Sequence, residues 1–68
     1  MKKDNLLNAV IEIDEVEYLI NEKAAEEITA GEKNIILKRL VDSKERSFPI
    51  DIINHSIEKN GIIDRLEK

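Results

Sequence analysis

Leu6, Ala9, Val10, Ile13, Val16, Ile20, Ala24 and Ile28 recur along the first thirty residues at steps dominated by threes and fours. Wound on a helix they fall in one arc of about 120°, the stripe that an amphipathic helix turns toward its core. Asp4 or Asn5 can cap the start, and Gly31 suits the left-handed position after the end. The spacing predicts one long helix over residues 4–30. Leu7, Ile11, Tyr18 and Leu19 lie off the stripe as a second apolar face, whereas Glu17 falls inside it.

A second pattern occupies the same residues. Val10, Ile11, Ile13, Val16 and Ile20 are β-branched, and a turn at Asp14-Glu15 would set Ile13 against Val16, Ile11 against Tyr18 and Ala9 against Ile20. This alternative is an α+β fold with an N-terminal β-hairpin at 9–20. Two features oppose it. Asp-Glu lacks the glycine that two-residue turns favour, and Glu12 would face Glu17 as a like-charge pair. Helix is the preferred expectation.

Downstream, Ile36, Leu37, Leu40 and Val41 make one helix face over residues 32–44, with Ile35 pointing away. Pro49 fits a first helical turn, and Asp51 complements the helix dipole there. Ile50, Ile53 and Ile57 form the stripe of a helix over residues 49–60, which stops at Asn60-Gly61. Ile62, Ile63 and Leu66 supply a short tail element. The expected fold is all-α: three helices (4–30, 32–44, 49–60) in one small domain spanning residues 1–68.

Size then argues for a partner. The chain has 68 residues and no cysteine, so no disulfide braces it. Below roughly 70–80 residues one core rarely supplies more than ~3–5 kcal/mol. A long helix folded on a shorter one leaves an open apolar seam, and a helical homodimer would close it. No uninterrupted apolar run exceeds three residues, far short of the ~18 that a membrane span needs. A cytoplasmic protein without a membrane segment is the expectation.

Charge is uneven. Residues 1–32 carry nine acidic and three basic side chains, whereas residues 33–46 carry five basic (Lys33, Lys38, Arg39, Lys44, Arg46) and two acidic. Neutralisation of the basic segment by the acidic first helix is the simpler expectation, and a patch for nucleic acid is the other. Segments two and three resemble a helix-turn-helix in outline. However, their connection is longer than the usual three or four residues, and residues 49–60 hold one Lys, no Arg, and both Asp51 and Glu58.

Catalytic chemistry finds little footing. His55 has Asp51 and Glu58 as helical neighbours, too few nitrogen or sulfur ligands for zinc. Ser56 adjoins His55, but consecutive helix positions do not face each other. The carboxylate pairs Glu22 with Glu26 and Asp14 with Glu17 suit a solvated face. No enzyme activity, cofactor or metal is expected. The functional expectation is a small interaction or regulatory module (adaptor, inhibitor or accessory subunit) that dimerises. It would bind another protein through Leu7, Ile11, Tyr18, Leu19, Ile35 and Arg39. The alternative is a small nucleic-acid-binding regulator using the basic segment, with Lys38, Arg39, Lys44 and Arg46 in contact.

Overall fold

The computed structural model describes residues 6–66. Its elements are β1 (Ala9–Ile13), β2 (Val16–Ile20), α1 (Glu22–Ala30), β3 (Asn34–Arg39), β4 (Glu45–Pro49), α2 (Ile50–Asn60) and β5 (Asp64–Arg65). The strands form one five-stranded sheet in the order β4-β3-β2-β1-β5, with every neighbouring pair antiparallel. The protein is a small α+β fold, which overturns the all-α, three-helix expectation.

The correction begins at residues 9–20. They are the hairpin, in the register the alternative implied: Ala9 opposite Ile20, Ile11 opposite Tyr18, Ile13 opposite Val16, and Glu12 opposite Glu17. The turn is made by Asp14 and Glu15, both at positive φ (53° and 67°). Positive φ at both central residues is what a type I′ turn requires, and its twist matches the flanking strands. The chain accepts two strained non-glycine residues there. In return it buries Ile11, Ile13, Tyr18 and Ile20 on one face. Helix survives only over Glu22–Ala30. Asn21 caps its start, its side chain accepting from the Ala24 amide at 2.8 Å, and Gly31 closes its end at φ 78°. The expected caps Asp4 and Asn5 lie outside the described residues.

The expected helix over 32–44 is β3 and the start of a hairpin. Ile35 and Leu37 face the core, and Ile36 faces outward, about half exposed. The third expected helix is present as α2, with Pro49 at its N-cap and Gly61 after its end.

Both helices lie on one face of the sheet. Leu6, Ala9, Ile11, Ile13, Tyr18, Ile20, Ile35, Leu37 and Phe48 meet Ala24, Ala25 and Ile28 of α1 and Ile53 of α2 in a single cluster. The Tyr18 and Phe48 rings meet edge-on, centroids 4.8 Å apart. Such pairs add ~0.5–1.5 kcal/mol beyond their buried area. Ile11, Ile20, Ile35 and Ile53 are fully enclosed within one chain. The helix-on-helix seam expected between residues 4–30 and 32–44 does not form among the described residues, because both segments contribute strands.

The outer edge of β1 is also closed. The Asn8 carbonyl accepts from the Leu66 amide (2.8 Å) and the Val10 carbonyl from the Ile63 amide (2.9 Å). The Glu12 carbonyl accepts from the Ser56 hydroxyl. At the opposite side of the sheet β4 is an open edge, carrying Glu45, Arg46 and Ser47, all exposed.

Candidate nucleic-acid interface

The basic segment 33–46 folds into the β3–β4 ribbon. Five cross-strand pairs hold it, from Asn34 opposite Pro49 to Lys38 opposite Glu45. Its tip is closed by the Arg39 amide donating to the Lys44 carbonyl and the Ser43 amide donating to the Arg39 carbonyl, both at 2.8 Å. Ser43 takes a positive φ of 60° to complete the reversal.

Arg39 belongs to this tip. Its Nε donates to Asp42 Oδ1 at 2.9 Å and its Nη2 to Oδ2 at 2.6 Å. Asp42 Oδ1 also accepts from the Lys44 amide at 3.1 Å. The hydrogen bond from Arg39, with help from the Lys44 amide, holds the Asp42 carboxyl down at about 2. The same pairing raises the Arg39 guanidinium above its usual value. A bidentate guanidinium–carboxylate pair is the most directional ion pair two side chains make. Here it fixes the loop and uses up the charge of Arg39.

The other four cations are differently placed. Lys33, Lys44 and Arg46 are exposed and Lys38 is half-buried. Among the described residues none of the four makes an ion pair, and the segment's only one is Arg39 with Asp42. The expected neutralisation by the acidic first third does not occur, because that third is not a helix lying along the basic one. Most of the acidic residues lie on other elements, and Glu15 and Glu17 come close to the segment only at the ribbon tip, beside Leu40 and Val41. Glu12, Asp14, Glu15 and Glu17 belong to the β1–β2 hairpin, and the cations to the β3–β4 side.

The cations also divide between the faces of the ribbon. Arg46 stands opposite Leu37, a core residue, and so projects on the helix-bearing side, its guanidinium carbon 5.1 Å from the centre of the Phe48 ring. Lys44 lies in the tip, before β4 begins. Lys38 stands opposite Glu45 on the face that the helices leave open.

Three of the six residues expected to contact a protein are spent on the core. Ile11 and Ile35 have no exposed surface, and Tyr18 has 1%. Leu7 and Leu19 are half-buried. They were selected as leftovers of a helical stripe, and strand alternation sends Ile11 and Tyr18 inward instead. Sequence reasoning passed over Val41, which is 84% exposed at the ribbon tip. With Leu40 and Val16 it lines an open recess of about 440 Å³, banked by Glu15 and Glu17. Its spacing with Ile36, Leu37 and Leu40 fits a helix face, and only the hairpin shows it at a tip.

His55 and Ser56 border a shallower cleft of about 200 Å³ with Glu12, Ile13, Asp14, Ile52, Lys59 and Asn60. Ser56 is committed to the Glu12 carbonyl. No group of three or more His, Asp or Glu side chains is placed to hold a metal among the described residues. No helix among them is long and apolar enough to cross a membrane. No protein-family model, curated protein or solved structure matches the chain.

Proposed function

We propose that this protein is a small nucleic-acid-binding regulator that meets its ligand through the β3–β4 side of the sheet. The observation that carries this reading is the state of four cations. Lys38 and Arg46 lie on the β3–β4 ribbon, Lys44 in its tip beside Asp42 and Lys33 just before β3, and none of the four makes a direct ion pair among the described residues. Phosphate contacts are made by such side chains, and they supply most of the sequence-independent affinity. The net charge of −4 does not oppose this, because the acidic residues are concentrated on other elements. An acidic remainder orients the molecule, turning one side toward a polyanion and the others away. The rival protein-contact surface loses Ile11, Tyr18 and Ile35 to the core and Arg39 to Asp42.

Fluorescence anisotropy with labelled nucleic acid at low salt tests the reading. The wild-type chain binds, and binding weakens steeply as salt rises. A variant with Lys33, Lys38, Lys44 and Arg46 all replaced by Gln keeps its fold, because none of the four is fully buried, and loses binding. Equal binding by that variant, or no binding by the wild type at low salt, overturns the reading.

A further inference from the structure

We infer that the nucleic acid is B-form duplex DNA, with the β3–β4 edge of the sheet seated in the major groove and cations on its two faces meeting the two phosphate walls. The inference rests on the nucleic-acid reading above and concerns which form is bound. Two independent observations support it.

The first is the fate of the aromatic residues. Proteins that grip single strands stack bases on exposed aromatic rings, each worth ~1–3 kcal/mol. This chain has one tyrosine, one phenylalanine and no tryptophan. Tyr18 is 1% exposed and Phe48 5%, and they pack against each other. Neither can stack a base without dismantling the core. Neither phenyl ring of the chain is therefore open to stack a base.

The second is the distribution of charge across the ribbon. Arg46 projects on the helix-bearing side and Lys38 on the open side. A single strand offers one line of phosphates and can reach one face at a time. A major groove about 12 Å wide admits a two-stranded ribbon and offers a phosphate strand on either flank. β4 is the terminal strand of the sheet, so no strand among the described elements lies outside it, and α2 packs against it from the helix-bearing face. The acidic hairpin β1–β2 is separated from β4 by β3, and its Glu15 and Glu17 approach the ribbon only at the tip, beside Leu40 and Val41. A-form duplex RNA fails the same geometry, because its major groove is too narrow for side chains to enter.

The test compares three labelled ligands of one sequence on the intact chain: a 20-base-pair DNA duplex, its single strand, and the RNA duplex. The DNA duplex binds about tenfold or more tightly than either other form, with a log–log salt slope of about −0.9 for each phosphate neutralised. K38Q and R46Q each lower the slope by about one, so both faces contribute. Preferential or equal binding of the single strand overturns the duplex assignment while leaving nucleic-acid binding in place. Equal binding of the RNA duplex overturns the groove placement. A K38Q slope identical to wild type overturns the two-faced contact. Binding of none of the three overturns both this inference and the proposed function.

Discussion

The side-chain hydroxyl of Ser56 on α2 donates to the main-chain carbonyl of Glu12 on β1, joining positions 44 residues apart. The bond completes a row. β5 is two residues long and its flanking amides reach only the Asn8 and Val10 carbonyls. Glu12 lies beyond them, and the helix supplies the missing donor. Edge strands with unpaired carbonyls invite pairing with other chains, so covering this one has value beyond its own bond.

Replacing Ser56 with Ala removes that donor from a buried site, since Ser56 is only 6% exposed. A buried acceptor left without a partner costs about 1–3 kcal/mol. The urea midpoint of Ser56→Ala drops accordingly with an unchanged slope. An unchanged midpoint would show that water satisfies Glu12 equally well.

The β1–β2 turn carries avoidable strain. Glu15 sits at φ 67°, where a non-glycine residue costs ~1–2 kcal/mol. Glycine loses ~0.5–1 kcal/mol of chain entropy on folding, so Glu15→Gly gains a net ~0–1.5 kcal/mol. Thermal melting checks the sign. A lower melting temperature would contradict the assigned turn.

These two sites show why the fold was only partly legible. Ala9, Ile13, Val16 and Ile20 satisfy a helical stripe and an alternating strand at once, so spacing alone could not separate the two. The decision then fell to turn chemistry, and Asp14-Glu15 is a poor turn that the buried pairs around it override. β3 hid for a related reason. Its exposed Ile36 breaks the alternation between Ile35 and Leu37 and imitates a helix face. β4 offers one core residue, Phe48, too few for any period. By contrast α2 was readable, because Pro49, the isoleucine stripe and Asn60-Gly61 all agree. The basic segment was visible as a count. Which cations remain unpaired was not, because the Arg39–Asp42 bond depends on a hairpin the sequence disguised.

Asp42 titrates at about 2, below its ordinary 3.8, because Arg39 holds the ionised form. A depressed carboxyl contributes stability that is fully present above its unfolded pKa. That contribution fades as pH falls from about 4 through 2. The pair is about one-third exposed, so solvent screens it and the effect is local to the ribbon tip. A carbon-detected NMR titration of Asp42 reads a midpoint near 2 in the wild type. Arg39→Gln returns it toward the ordinary value, and no movement in that variant would break the assignment.

Phe48 supports two neighbours, the Tyr18 ring and the Arg46 guanidinium. Phe48→Leu keeps an apolar side chain there but removes the edge-on ring contact, at a cost of about 0.5–1.5 kcal/mol. Tyr18 is the only tyrosine and there is no tryptophan, so its near-ultraviolet circular dichroism reports the change directly. An unaltered spectrum would contradict the packing.

Glu45 stands opposite Lys38 on the open face and is the acidic residue nearest in register to the proposed contact. Glu45→Lys removes one repulsive charge and adds one attractive charge. Duplex DNA affinity then rises and the salt slope steepens by about one. Unchanged affinity would place the ligand elsewhere on the molecule.

The most direct measurement is an amide chemical-shift map of the isotopically labelled chain as unlabelled duplex DNA is added. The account predicts shifts concentrated on residues 33–48, around Lys33, Lys38, Lys44 and Arg46, with α1 and the β1–β2 hairpin largely still. Shifts centred on α1 or on the cleft beside His55, or a spectrum indifferent to DNA at low salt, would contradict it.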